Sequence, residues 1–181
     1  MPIPDFQTIM LPLLKLTQDE QEHKVNDLVE VLSDQFGLTE EERKELLPSG
    51  QAFLFINRVN WARTYLKKAG FFDAPKRGVI SITKRGIDFL ATNPLELNVK
   101  ILKQFPEFID FVTGKTDEDT EQVATITPSI SADSKNTPEE SLEEAYQNIR
   151  KSLASELRSK IIELSPAFFE KLVVDLVVKM G

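Results

Sequence analysis

The sequence predicts a mainly α-helical fold, a winged helix-turn-helix with a small β-hairpin wing that is followed by an acidic linker and a C-terminal helical segment. Residues 51–86 carry apolar side chains at helical spacing and then a glycine and two short alternating stretches, the order of a helix and a hairpin. This window holds eight Lys or Arg residues and one Asp, whereas the whole chain has 22 basic and 29 acidic residues. A positive surface on an acidic chain is typical of a polyanion-binding protein.

Composition limits the other classes of function. The chain has 181 residues, 41% of them hydrophobic, which is enough for one complete core and an attachment. It has no cysteine and a single histidine, His23, which excludes disulfides, Cys-based zinc sites and His-rich metal sites. No apolar run has the length of a membrane span and the N-terminus does not resemble a signal peptide, so we expect a cytoplasmic protein without a membrane partner.

Three helices are predicted before the basic window. The first lies within residues 5–16, where Pro12 is expected to interrupt or kink it. The second lies within residues 23–36 and carries apolar side chains at intervals of three and four. Thr39 followed by Glu42 is the signature of a capping box, and it predicts a short third helix. The second helix, a tight turn, the short third helix and the basic helix after them are predicted to form the three-helix core.

The basic helix is predicted over residues 57–69 and ends at Gly70. Its apolar residues form one buried stripe, and its polar residues fall on the opposite arc at about 100° per residue. That polar arc consists of Asn57, Asn60, Arg63, Thr64, Lys67 and Lys68. We expect Asn57, Asn60 and Arg63 to read base edges, because amide and guanidinium groups match their donors and acceptors. A solvated helix face without a ligand is the alternative interpretation.

The hairpin is predicted from Phe71 to Ile82, with Lys76 and Arg77 at its tip. A helix followed by a hairpin with a basic tip is the second half of a winged helix-turn-helix, which places a helix in the major groove of DNA. Double-stranded DNA is therefore the expected partner. We expect the cations at the tip, together with Lys67 and Lys68, to contact phosphates and to set the affinity.

The remainder of the chain divides into three parts. Thr83 is expected to cap one further helix, and the apolar residues 95–113 are expected to pack back on the domain, so the DNA-binding domain is predicted over residues 4–112. Residues 113–137 are rich in Thr, Ser and Asp and predict a flexible acidic linker. Residues 138–181 predict two helices, and the second starts at a Ser-Pro pair.

The first of these C-terminal helices has an apolar stripe with a period of about seven residues. The stripe is compatible with a coiled-coil arm or a tether between domains. It is also compatible with packing against the last helix or against another copy of the chain, and the latter would make the protein a homo-oligomer.

Evidence for a catalytic site is weak. Three tripeptides match the acidic-x-Lys pattern that metal-dependent nucleases use. They are Glu22-His23-Lys24, Glu42-Arg43-Lys44 and Asp133-Ser134-Lys135. None lies in a predicted strand and such matches arise by chance in a charged chain, so no residue is assigned a catalytic or metal-binding role. His23 is expected to be a surface or capping residue at the start of the second helix.

The order of these landmarks is similar to that of a known family. The segments FGLTEEERKELLPSGQ, NRVNWARTYLKKAGF and RGVISITKRGIDFL, with QFPEF after them, resemble the N-terminal winged-helix domain of Mrr-type restriction proteins over about residues 4–112. The segment from Leu142 to Gly181 resembles the beginning of the nuclease domain of that family.

The resemblance implies a type IV restriction endonuclease that acts on modified, methylated DNA through a magnesium-dependent PD-(D/E)xK nuclease domain. In the family the catalytic residues follow the glycine that ends the last helix, which corresponds to Gly181. We therefore expect this chain to bind DNA, to hold no cofactor itself and to be unable to cleave DNA alone, with magnesium required by the complete nuclease. A winged-helix transcriptional regulator or a protein-interaction module is the alternative function.

Overall fold

The computed structural model describes residues 3–113 and 135–180. These fall into two compact units, the first formed by residues 1–140 and the second by residues 141–181. Most of the predicted linker lies outside the described residues. The elements are α1 Phe6–Leu16, β1 His23–Lys24, α2 Val25–Gln35, α3 Glu40–Arg43, α4 Leu54–Lys68, β2 Phe72–Lys76, β3 Val79–Ile82, α5 Lys84–Ala91, α6 Val99–Leu102, α7 Pro106–Thr113, α8 Pro138–Glu163 and α9 Pro166–Met180. The predicted fold class is confirmed, since the described chain is mainly helical and contains a small antiparallel sheet.

The core of the first unit forms where α1 packs against α4. Tyr65 of α4 lies at its centre, with its ring centroid 5.3 Å from that of Phe6 in α1 and 5.5 Å from that of Phe108 in α7. Asp5 begins α1 by accepting hydrogen bonds from two backbone N–H groups of the first turn, each at 3.0 Å. The helix continues through Pro12, so the predicted interruption is absent.

The wing is part of a three-stranded antiparallel sheet in the order β1-β3-β2. The predicted hairpin is present as β2 and β3, and Arg77 and Gly78 form the turn between them. The prediction missed β1 and wrongly made His23 the start of the second helix, because His23 pairs with Ile80 as a strand residue and α2 begins at Val25. A strand of two residues has no alternation that a sequence pattern can reveal.

The segment between α3 and α4 folds back on itself. The predicted capping box of α3 is present, since the Thr39 side chain accepts from the Glu42 backbone N–H and the Glu42 carboxylate accepts from the Thr39 N–H. The helix nevertheless ends at Arg43. Beyond it, Leu46 and Phe53 form an antiparallel bridge that leads directly into α4.

The segment after the wing packs on the α4 side of the unit. Thr83 caps α5 as predicted, since its side-chain oxygen accepts the Gly86 N–H at 3.3 Å. The helix α7 contacts α4. An ion pair joins the two segments, with Arg85 Nη2 2.8 Å from Glu107 Oε1. The sequence predicted that residues 95–113 pack back on the domain, but it did not predict which element they contact.

The second unit contains the rest of α8 and all of α9, and none of its described residues is buried. Many of its large apolar side chains are exposed, including Leu142, Tyr146, Ile149, Leu153, Leu157, Ile162, Phe168, Phe169, Val173, Val174, Leu176, Val177, Val178 and Met180. In the described ranges no helix combines the length and the apolar character needed to cross a bilayer.

Candidate nucleic-acid interface

The polar residues that α4 presents at the surface are Asn60, Arg63, Thr64 and Lys67, which we call the exposed arc. Lys67 is exposed and the other three are half-buried. The arc is accessible because the apolar side chains that α4 buries fall on other faces of the helix; they are Phe55, Val59, Ala62, Tyr65 and Leu66. Its members recur at intervals of three and four residues, so they lie in one row along the helix.

Arg63 is the half-buried cation of the exposed arc. It makes no hydrogen bond or ion pair with any described residue, and burial lowers the pKa of its guanidinium. An arginine remains protonated at neutral pH even so. A partly desolvated guanidinium without a carboxylate partner is suited to an external anion or to the acceptors on a guanine edge.

Thr64 and Asn60 differ in whether their side chains still have a hydrogen-bond donor available for a ligand. The Thr64 hydroxyl donates to the Asn60 backbone oxygen at 2.8 Å, so its proton is used within the helix. The Asn60 side chain makes no hydrogen bond with a described residue. Its amide therefore has both donor and acceptor groups available for a base edge.

Asn57 was predicted to lie on the same polar arc, and this placement is wrong. Its side chain is only 8% exposed. Its carbonyl accepts the Thr137 hydroxyl at 3.0 Å, and its Nδ2 group donates to the Glu139 carboxylate. Thr137 is fully buried, so this amide is satisfied within the first unit and faces away from solvent.

Arg58 is held by the same segment. Its guanidinium lies 2.6 Å from Glu140 Oε1, and the two side chains are only 14% and 11% exposed. Glu140 also accepts the Thr137 backbone N–H at 2.9 Å, while Thr137 Oγ1 accepts the Glu140 N–H at 3.2 Å. This reciprocal pair is a capping box at the start of α8. We call residues 137–140 with their contacts to Asn57 and Arg58 the clamp.

Lys68 lies at the edge of the arc rather than within it. Its ammonium group is 5.1 Å from the ring centroid of Phe111 in α7, a cation–π contact. Trp61 is half-buried and packs edge-on against Tyr65, with ring centroids 5.6 Å apart. Trp61 therefore has a packing role.

The tip of the wing carries the two predicted cations. Lys76 and Arg77 are both exposed, and Lys76 Nζ is 3.5 Å from Glu22 Oε2. Arg77 makes no ion pair within the described ranges. It precedes Gly78, whose φ of +75° closes the two-residue turn and favours glycine.

The positive field of the basic window is smaller than a residue count implies. Three of its eight cations pair with acids from outside the window: Arg58 with Glu140, Arg85 with Glu107 and Lys76 with Glu22. The pair at Lys76 is exposed and screened by water. The other five have no carboxylate partner in the described part of the chain, namely Arg63, Lys67, Lys68, Arg77 and Lys84.

The acidic-x-Lys tripeptides do not assemble a metal site. Among the described residues no group of three acidic or histidine side chains is placed to hold a metal ion. Glu42 serves the capping box of α3. His23 is 2.6 Å from Asp19, and this hydrogen bond lowers the pKa of the Asp19 carboxyl. Asp133 and Ser134 lie outside the described residues.

The first unit also has an open groove of about 610 Å³ between the start of α1 and the loop before α6. Three of its polar side chains have structural roles. Asp5 caps α1, Gln7 Oε1 accepts the Val99 N–H at 2.9 Å, and Asn98 caps α6. The groove is therefore a weaker candidate for ligand binding than the exposed arc and wing.

Comparison with known proteins connects these elements to a family. A family model described as the Mrr N-terminal domain matches residues 6–92. The type IV methyl-directed restriction enzyme EcoKMrr of Escherichia coli is 27% identical over 195 residues, which include 100% of this chain and 60% of the relative. This chain thus spans about 60% of the length of the curated relative that it matches. No solved structure matches the chain.

Proposed function

The chain is an Mrr-type restriction protein, and from that premise we propose that it acts on DNA within a restriction system, with its first unit binding double-stranded DNA. The matched residues 6–92 include α4 and both strands of the hairpin. In winged helix-turn-helix proteins that order of elements places a helix in the major groove. DNA binding is the part of restriction that this proposal assigns to the described residues.

The observation that carries the proposal is the set of unpaired groups on one face. Asn60 and Arg63 have no partner among the described residues, and Arg77 extends the positive charge onto the wing. In a chain with a net charge of −7, cations that lack partners make the local field positive. We assign base contacts to Asn60 and Arg63, and phosphate contacts to Lys67, Lys68, Lys76 and Arg77.

The likeness to EcoKMrr supports a second part of the proposal. That relative is described as a methyl-directed restriction enzyme. We therefore propose that the DNA recognised here carries methylated bases, and that the first unit serves as the targeting domain of an endonuclease. Magnesium-dependent cleavage is assigned to the complete nuclease.

The exposed apolar side chains of the second unit fit the same proposal. The stripe from Leu142 to Leu157 has no cover within that unit. Apolar surface of this extent is normally buried by another folded partner. We propose that the remaining part of a nuclease domain packs against this stripe and buries it. A second copy of this chain is the other candidate, and light scattering after gel filtration tests it, since a concentration-dependent dimer would favour self-association.

DNA binding is tested by a salt titration with the double variant Lys67→Ala/Arg77→Ala. Both cations lack an ion-pair partner in the described part of the chain, so their loss should not disturb the fold. Loss of two phosphate contacts should lower the affinity about tenfold or more and reduce the log-log salt slope by about 1.8. Fluorescence anisotropy with a labelled 30-bp duplex at several salt concentrations measures both quantities.

The matched control removes two exposed cations elsewhere, Lys15→Ala in α1 and Lys171→Ala in α9. It changes the net charge by the same amount, so it reports the general effect of charge on binding. A double variant at the interface that binds as the control does, with the same slope, would overturn the assignment of DNA to α4 and the wing.

A further inference from the structure

Three exposed apolar side chains gather where α4 begins. Leu46, Phe53 and Ile56 are 48%, 41% and 37% exposed. Leu46 and Phe53 are directly opposite each other in an antiparallel bridge, which puts their side chains on the same face. Ile56 lies one turn beyond Phe53 on the helix. Together they form one apolar surface, which we call the apolar tip.

The backbone around the apolar tip is fixed. The Leu47 N–H donates to the Ala52 oxygen at 2.8 Å, and the Leu54 N–H donates to the Glu45 oxygen at 2.8 Å. These two hydrogen bonds lie on either side of the bridge and hold its two residues close together. The apolar tip is therefore a preformed surface.

Helix stability does not explain an exposed phenylalanine at this place. Phe53 occupies the N-cap position of α4 and its side chain makes no capping hydrogen bond. Serine, threonine, aspartate or asparagine would stabilise the helix there by about 1 kcal/mol. Phe53 is part of a contiguous patch with Leu46 and Ile56, and a contiguous exposed apolar patch is typical of a surface that contacts another molecule.

The apolar tip is continuous with the exposed arc. At about 100° per residue, Phe53 and Ile56 fall on the same side of α4 as Asn60, Arg63 and Lys67. They form the N-terminal end of that row. In helix-turn-helix proteins the N-terminal residues of the recognition helix reach the base edges. The apolar tip is thus the part of α4 that would lie deepest in the groove.

The apolar group that base edges present in the major groove is a methyl group. Thymine carries it on C5, and methylation of cytosine C5 or of the adenine amino group places another in the same groove. We propose that the apolar tip formed by Leu46, Phe53 and Ile56 binds a base methyl group in the major groove. This inference rests on the proposed function and names the groups that would sense the modification. Removal of one methyl group from water is expected to raise affinity about three- to fivefold.

The experiment compares random-sequence duplex pools that differ only in base methyl groups. Pools made with 5-methylcytosine in place of cytosine, N6-methyladenine in place of adenine, or uracil in place of thymine separate the three sources of a methyl group. Competition by each pool against one labelled unmodified duplex gives relative affinities. The full chain should prefer at least one methyl-bearing pool about threefold over its matched pool.

The variants are Phe53→Ser and Ile56→Gln. A serine at the N-cap position and a glutamine within the helix both favour the helix, so each variant should fold. Each should lose the methyl preference and should retain binding, within about twofold, to the pool that lacks the preferred methyl group. Leu95→Gln removes a fully exposed apolar side chain between α5 and α6 and should keep the preference. The unfolding midpoint, followed by Trp61 fluorescence, verifies the fold of each variant.

The outcomes separate this inference from the proposed function. If the chain binds no duplex pool, the proposed function itself fails and the inference fails with it. If the chain binds DNA but shows no methyl preference, or if the variants keep the preference, DNA binding stands and the inference is overturned. Equal loss of affinity for all pools would make the apolar tip a general contact and would also overturn the methyl assignment.

Discussion

Asn57 and Asn60 lie less than one turn apart on α4, and the structure gives them opposite environments. Asn57 is 8% exposed and both ends of its amide are hydrogen-bonded to the clamp. Asn60 is half-buried, and its side chain has no hydrogen-bond partner among the described residues. One polar face of the helix therefore holds the first unit together, and the neighbouring face is available to a ligand.

The two arginines of the helix repeat this contrast. Arg58 is neutralised by the largely buried carboxylate of Glu140, which is 11% exposed, whereas Arg63 faces no carboxylate in the described part of the chain. A pattern of polar residues on a helix identifies the surface that avoids the apolar core. It does not distinguish a surface that meets solvent from one that meets a second polar segment. Here the second segment lies about 80 residues further along the chain.

The largest expected effect comes from breaking the clamp. In Glu140→Gln the half-buried Arg58 guanidinium loses its charge partner, and we expect the free energy of unfolding of the first unit to fall by about 2 kcal/mol. Trp61 is the only tryptophan and lies in α4, so its fluorescence in a urea titration follows the unfolding of this unit.

Glu40→Gln is the matched control for the clamp. Glu40 and Lys44 form an ion pair at 3.5 Å whose side chains are 74% and 72% exposed. Loss of such an exposed pair should cost less than about 0.5 kcal/mol. Equal stability losses in the two variants would show that the clamp does not stabilise the unit.

A smaller effect is expected where α4 turns into the wing. Gly70 has a φ of +77°, and a Cβ there would lie 2.6 Å from Arg85 Nη1, which donates to the Ala69 oxygen at 2.8 Å. Gly70→Ala should cost about 1.5 kcal/mol, from the left-handed backbone and from displacement of Arg85. Urea unfolding followed by Trp61 measures it.

Gly37→Ala separates these two causes. Gly37 has a φ of +65°, and a Cβ there would meet no atom within 4 Å. In Gly37→Ala only the left-handed backbone conformation is destabilising, because the added Cβ meets no neighbour. The variant should therefore be about 0.5 kcal/mol less destabilised than Gly70→Ala. If Gly37→Ala is as destabilised as Gly70→Ala, the contact with Arg85 does not contribute.

The smallest expected effect lies on the packed side of α4. The Tyr65 hydroxyl is buried and has no hydrogen-bond partner among the described atoms, and burial raises the pKa of this phenol. Tyr65→Phe removes an unsatisfied polar group and keeps the ring contacts, so it should stabilise the unit by up to about 1 kcal/mol. DNA affinity should be unchanged because Tyr65 lies on the buried side of α4, away from the face that carries the exposed arc. A loss of stability would mean that the hydroxyl has a partner.

The sequence predicted the features that depend on local interactions. The capping box of α3, the cap of α5 at Thr83, the end of the basic helix at Gly70 and the hairpin after it follow from residues within a few positions of one another. The strand β1 was missed because it exists only through pairing with β3, a contact between residues more than 50 positions apart.

The candidate site shows the same limit. The spacing of Asn60, Arg63 and Lys67 was sufficient to place them on one face of a helix. The burial of Asn57 and Arg58 depends on residues 137–140, which the sequence assigned to a linker and to the start of a C-terminal helix. The composition of a segment does not reveal which distant surface it contacts.

The most direct test of the account uses the side-chain amide signals of Asn57 and Asn60 in two-dimensional NMR spectra of the full chain. During titration with a DNA duplex, the account predicts that the Asn60 signals shift or broaden and that the Asn57 signals remain in place. The variants Asn57→Gln and Asn60→Gln assign the two pairs of signals. Movement of the Asn57 signals without movement of the Asn60 signals, or constancy of both at saturating DNA, would contradict the division of α4 into a clamped face and a DNA-binding face.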